Sequence, residues 1–322
     1  MTLQHTDAQF DEVLTKKAVA LYEDRMDFAV AGQGAIPMIP TPVINGSYKK
    51  WKASDFRRRN VEKRASGTDF KRINLDLESV AYACQEQGFE SAIDDRDANQ
   101  IENAFEDMSM KMVEDGFAQF DIELAANLVA ATFTNYKTGH ATTPDSTHFI
   151  QWGEALATPI DDIDAYKADI KGQLGVNPDS LLLTEDVFLA LKKNAQILAR
   201  MSSYTDKIIT LEKLKTFFGL SNIYVMAGTQ TTTVDGQATQ TIANIATDSA
   251  LLYYRGTGGS ALTPSAVKCF YNTSNGGSGT NGIILETYRD NQKRSDVARL
   301  VQDFTIKATM PEGAMLLVDV LK

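Results

Sequence analysis

Between Asp97 and Ala131 the chain carries one sustained helical signal, and a helix of that length dictates what can be built around it. Ile101, Phe105, Met108 and Met112 recur at helical spacing, and Phe117, Phe120, Leu124 and Leu128 continue the apolar stripe. Asp94 or Asp95 can cap the start, and Asp97 favours the positive end of the helix dipole. At 1.5 Å per residue the span predicts a helix of roughly 50 Å. That is well beyond the globular average of about 11–12 residues. Such a helix crosses its domain like a beam.

Charge is distributed unevenly. From Lys49 to Arg72 stand ten basic and three acidic residues, a net of +7, whereas the rest of the chain holds 22 Lys/Arg and 39 Asp/Glu, a net of −17. One stretch is therefore complementary to all the rest, and it attracts a second copy of the chain as readily as nucleic acid. Gly67 lies near its tip, and on the return leg Ile73, Leu75 and Leu77 alternate with Asn74, Asp76 and Glu78. That period of two predicts a long β-hairpin with a charged tip. With little core and open edges, such a hairpin needs something to lie on.

Two partners compete for it. Single-stranded nucleic acid calls for aromatic stacking platforms among the basic residues. Trp51 and Phe56 sit near the base and Phe70 on the return, but Arg57–Arg64 has none. A net charge of −10 over the whole chain also argues against a general nucleic-acid binder. A charge run can also be a solvated loop guarding an open edge. A second copy of the chain is the stronger partner, and a nucleic-acid-binding module is the weaker alternative.

At 322 residues, 43% hydrophobic and 23% charged, the chain can form one large domain or two to three small ones around a buried core. Cys84 and Cys269 are far apart and fit buried thiols in a reducing compartment. The N-terminus lacks the pattern of a secretory signal, and no apolar run reaches the ~18–20 residues of a membrane span. Synthesis and folding in the cytosol are expected.

Phe10–Val30 reads as an amphipathic helix, ended by Gly32-Gln33-Gly34. Pro37, Pro40 and Pro42 then enforce an extended path, read as an arm over a surface and outside the core. Phe149–Leu174 suggests short helices broken by Pro159 and Gly172. Asn177-Pro178-Asp179-Ser180 turns into a buried strand at Leu181–Leu183, and Thr184-Glu185-Asp186 caps a helix to about Met201. Leu211–Phe218 is a helix stopped by Gly219, followed by a strand at Ile223–Met226, an α/β unit. Strands are expected at Ala250–Tyr254, Val267–Tyr271, Ile283–Tyr288, Ala298–Thr309 and Met315–Val320.

Catalytic and metal motifs find little support. The histidines His5, His140 and His148 are remote in sequence from both cysteines, and no nucleophile elbow, P-loop or zinc-protease helix occurs. Asp161, Asp162, Asp164 and Asp169 lack the spacing of a calcium loop. No enzyme activity, cofactor or metal is expected.

The order of arm, charged hairpin, very long helix, α/β unit and terminal strands resembles the major capsid proteins of tailed double-stranded DNA phages, an α+β fold of the Hong Kong 97 type. The likeness covers nearly the whole chain. Asn177–Phe188, Leu220–Val225, Tyr288-Arg289-Asp290, Val297–Leu300 and Asp303-Phe304 resemble family segments in wording. The resemblance implies an N-terminal arm at 1–45, an E-loop hairpin at 46–90, and a P-domain with its spine helix at 91–176, completed by C-terminal strands. The A-domain and terminal strands then occupy 177–322. It implies hexamers and pentamers closing an icosahedral head around DNA bound without sequence-specific contact. A separate scaffolding protein, a portal and a decoration protein are the implied partners, with no membrane. The destination is the virion, after assembly in the host cytoplasm. In that setting Arg57, Arg58, Arg59, Lys63 and Arg64 at the hairpin tip meet a neighbour's Glu102, Glu106, Asp107, Glu114 or Asp115. An encapsulin-type compartment shell, which packages enzymes, is the nearest alternative.

Overall fold

The computed structural model describes residues 9–23, 34–51, 61–70, 72, 77–98, 100, 103–129, 131–142, 144–201, 208–234, 236–237, 239–256, 262–274 and 281–321. Two six-stranded sheets organise them. The first is built around one long strand, β15 (Ser295–Ala308), flanked by β5 (Gln85–Asp94), β13 (Val267–Asn272) and β14 (Ile283–Asp290). β14 pairs antiparallel with Ser295–Gln302, β5 with Ser295–Phe304, and β13 with Phe304–Ala308. The short strands β1 (Gln9–Phe10) and β2 (Met38–Thr41) close its outer edges.

Across this sheet lies the long helix α3 (Ala104–Asn127), presenting Met112, Val113, Phe117, Phe120 and Leu124 to it at helical spacing. Phe120 reaches the Phe304 ring at 4.1 Å between centroids. Gly116 permits the close approach: a Cβ there would stand 3.2 Å from Leu300 Cδ1 and 3.3 Å from Gln302 Oε1. Its 24 residues make a rod of about 36 Å, shorter than the pattern predicts. Asp95–Ala98 forms a separate turn, α2, and Asn103 takes a left-handed φ of 60°, which an asparagine tolerates and a helix interior does not. At the other end Leu128 N folds back onto Ala125 O at 3.0 Å.

Helix α1 (Glu12–Glu23) begins where the sequence suggests; its expected continuation to Val30 lies outside the described residues. Asp11 Oδ1 accepts from Leu14 N at 2.8 Å, and Thr15 Oγ1 accepts from Leu285 N at 3.1 Å, tying the helix to β14. The proline segment corrects an expectation. It is core: Ala35, Ile36 and Ile39 are buried, and β2 pairs in parallel with β13. An edge strand tolerates Pro40, because the missing N–H can face away from the partner.

The second sheet runs β7 (His148–Ile150), β6 (Tyr136–His140), β16 (Ala314–Val318), β12 (Ser249–Tyr253), β8 (Ser180–Thr184) and β9 (Asn222–Met226). Every residue of β8 is buried, and its centre, Leu181–Leu183, is a continuous apolar run. Helix α4 (Pro159–Leu174) is unbroken: Pro159 occupies the first turn, where no N–H is needed, and a Cβ on Gly172 would meet nothing. The helix expected after Thr184 is two, α5 (Glu185–Leu191) and α6 (Ala195–Met201). Asn194 separates them, donating to Trp152 O and Ala157 O while its Oδ1 accepts from Gln196 N. α7 (Leu211–Phe218) ends at Gly219, φ 57°, as the sequence suggests.

Candidate inter-subunit surface

The hairpin stands on a small aromatic base. Strands β3 (Asn45–Trp51) and β4 (Leu77–Ala83) pair antiparallel, with Asn45 opposite Ala83 and Trp51 opposite Leu77. Near the root the Phe270 ring is stacked against both Tyr48 and Tyr82, at 4.9 Å between centroids in each case. Ile39, Tyr48, Tyr82, Cys84 and Phe270 form a buried cluster apart from the two main cores. Burial there raises the Tyr48 phenol to about 12, helped by the Glu78 carboxylate. Burial also raises the Cys84 thiol. After Cys84 the chain runs directly into β5, so the hairpin's return leg continues as a strand of the first sheet.

At the tip, residues 61–70 are all exposed. Thr68 closes a turn by donating from its N–H and Oγ1 to Ala65 O, at 3.3 and 2.9 Å. The Arg64 guanidinium stacks 4.2 Å over the Phe70 ring and donates to Thr68 O. Lys63 lies exposed beside it. Arg57, Arg58 and Arg59 lie outside the described residues, as does Glu102.

The other four acidic residues expected to matter share the exposed side of α3. Glu106 accepts from Lys17 of α1 at 2.8 Å, and Lys111 lies 3.4 Å from Glu114 and 2.9 Å from Asp115. Asp107 is exposed. These ion pairs are solvent-facing, worth about 0–1 kcal/mol each and readily exchanged.

Sequence reasoning missed an ionic lattice on the first sheet. Arg299 reaches Glu90 at 2.5 Å and Glu286 at 3.2 Å, joining β15 to β5 and β14. Arg289 reaches Asp95 at 2.6 Å and Asp296 at 2.9 Å, and those hydrogen bonds hold its pKa up. Only the cross-strand register, Arg299 opposite both Glu90 and Glu286, brings these charges together. Among the described residues no group of three or more His, Cys, Asp or Glu is placed to hold a metal. No described helix is long and apolar enough to cross a membrane.

The mixed helix-and-sheet architecture is shared with solved phage proteins. The mature capsid of bacteriophage PhiM1 superposes with a TM-score of 0.54 at 10% identity, covering 89% of this chain and 86% of that one. A phage-related protein of Bordetella bronchiseptica superposes at 0.72 with 20% identity, covering 97% of this chain and 98% of that one. In sequence, the major capsid protein of Burkholderia phage BcepMu is 21% identical over 215 residues, 67% of this chain and 68% of that protein. Residues 100–300 match the phage major capsid protein E family, so the chain belongs to that family. It is a structural, capsid-forming protein of the virion.

Proposed function

We propose that the chain adopts the Hong Kong 97-type fold and assembles as hexamers and pentamers of an icosahedral head enclosing double-stranded DNA. In this reading residues 1–45 are the N-terminal arm and 46–90 the E-loop. Residues 91–176, completed by C-terminal strands, form the P-domain, and 177–322 supply the A-domain and those strands. The E-loop of one copy lies across its neighbour. Arg57, Arg58, Arg59, Lys63 and Arg64 then meet Glu102, Glu106, Asp107, Glu114 and Asp115 of that neighbour's spine helix. The observation that carries this is the net +7 of the stretch Lys49 to Arg72 on a chain whose remainder is net −17.

Individually such contacts are weak. Repeated around a closed shell they act together, because each contact made raises the effective concentration of the next. The acidic remainder suits a container that confines DNA without gripping it. A separate scaffolding protein, a portal and a decoration protein complete the proposed assembly, which takes place in the host cytoplasm.

The test is charge reversal of Arg57, Arg58 and Arg59 to glutamate. The triple variant is expected to melt like wild type and to yield at least tenfold fewer closed particles by negative-stain microscopy. Normal particle yield from the folded variant rules the contact out. Purified wild-type particles assayed for DNA or for a co-purifying enzyme separate a phage head from a compartment shell.

A further inference from the structure

The two faces of the second sheet are covered differently. Leu182, Leu251 and Leu316 pack into the core shared with α3, whereas Leu181, Leu183, Leu252 and Leu317 pack beneath α4, α5, α6 and α7. On the outside of that helical layer Asn194 joins α5 to α6. It is also tied to the loop before α4, donating to Trp152 O at 3.2 Å and to Ala157 O at 3.4 Å. Three leucines flank this junction: Leu156 is 79%, Leu189 46% and Leu198 46% exposed. Single exposed leucines are ordinary, but three about one junction form a patch. Its charge is one-sided. From Val187 to Thr205 the chain holds three cations, Lys192, Lys193 and Arg200, and no acid. Lys192 lies 4.2 Å over the Phe188 ring, while Lys193 and Arg200 are exposed and have no ion-pair partner among the described residues. The acids of the adjoining loop and helix are engaged elsewhere. Asp161 accepts from Gln196 Nε2 at 2.7 Å, Asp162 accepts from the Trp152 indole at 3.1 Å, and Glu154 is half-buried.

Apolar side chains and free cations on one surface fit a ligand that is both apolar and acidic. Duplex DNA offers phosphates to the cations but nothing to three leucines. A purely apolar ligand leaves the cations unanswered. An acidic protein segment that carries apolar side chains satisfies both. None of the six residues belongs to the hairpin, to α3 or to the paired strands β10 (Thr229–Thr231) and β11 (Ile242–Asn244). The helical layer also lies across the second sheet from α3, so a contact between copies through hairpin and α3 leaves the patch open. We infer that the patch docks an acidic, leucine-bearing segment of the separate scaffolding protein. Small surfaces held by solvent-facing charge form and release readily, which suits a partner that engages the chain before the shell closes. This rests on the capsid reading and adds to it a surface distinct from the contact between copies.

The experiment uses the full chain in dilute, unassembled form and a fluorescein-labelled amphipathic peptide of leucine and glutamate, with binding read by anisotropy. Wild type is expected to bind this peptide at least tenfold more tightly than a control in which serine replaces leucine. Two double variants divide the patch: Lys193→Glu with Arg200→Glu, and Leu156→Ser with Leu198→Ser. Both are expected to melt like wild type, and each to bind the peptide at least tenfold more weakly. Wild-type affinity in both folded variants overturns the inference. So does a patch that takes a random-sequence DNA duplex instead, seen as DNA affinity lost in the charge-reversed variant while the peptide fails to bind wild type. Peptide binding that appears only with closed particles overturns it too, because that marks a partner of the finished shell. Particle formation by wild type, followed by sedimentation, reports separately on the capsid reading. Particles without peptide binding sink the docking surface alone, and peptide binding by a chain that never forms particles sinks the capsid reading instead.

Discussion

Asp162 is a carboxylate in an awkward place. It is half-buried in the first turns of α4, where its Oδ2 accepts from the Trp152 indole N–H at 3.1 Å. Burial raises its pKa to about 6, the Trp152 hydrogen bond opposes the rise and the Asp161 charge adds to it. An unfolded aspartate titrates near ~3.9. Between about pH 4 and 6 the folded chain therefore binds more protons than the unfolded one, and stability falls as pH rises through that window. Above it the cost is complete, about 1–2 kcal/mol once partial exposure is discounted. Asp162→Asn keeps an acceptor for the indole and removes the charge. It is expected to gain about 1–2 kcal/mol at pH 8 and to flatten the pH 4–6 slope, measured by urea unfolding at several pH values. An unchanged slope contradicts this account. At this scale the sequence misleads where one residue has two uses. Asn103 looks like ordinary helix and instead breaks it, while Pro159 looks like a break and instead starts α4.

Elements with their own stop signals were legible. α7 ends at Gly219, and β8 centres on the apolar run Leu181–Leu183. Elements held by distant partners were not. β5, Gln85–Asp94, is polar along most of its length and becomes a strand because β15 supplies ten partners across the ladder. β2 is likewise a strand because β13 lies beside it. The hairpin was legible from its charge, whereas the alternation expected at Ile73–Asp76 lies outside the described residues, and its foundation was not legible, since Tyr48, Tyr82 and Phe270 are distant in sequence. Phe270→Ala removes the ring shared by both stacks, and truncation of a buried phenylalanine costs about 3–5 kcal/mol. Phe270→Leu keeps most of the volume and is expected to lose only the stacking, about 1 kcal/mol per pair. Both losses should appear in hydrogen exchange as faster exchange in 45–51 and 77–83, with β8 and β12 less affected. Equal protection of the hairpin in wild type and Phe270→Ala is incompatible with an aromatic foundation.

For the molecule as a whole, charge asymmetry predicts how assembly answers to salt. Attraction through solvent between a +7 stretch and a −17 remainder is screened within about 8–10 Å near physiological ionic strength. Particle yield at fixed protein concentration is expected to fall as sodium chloride rises from dilute buffer, while the melting temperature of the unassembled chain changes little. Yield independent of salt, measured by sedimentation, would sink the electrostatic contact. The candidate surface was thus readable as charge and unreadable as geometry: sequence locates Lys63 and Arg64, but only folding engages Arg64 with Phe70 and leaves Lys63 beside it. One feature of the first sheet bears on mechanics. The hairpin's return leg passes through Cys84 into β5, and β5 is laced to β15 over ten residues. A pull along that strand loads the whole ladder in parallel rather than peeling it bond by bond. The joint therefore resists by shear, the strongest way a sheet can bear tension.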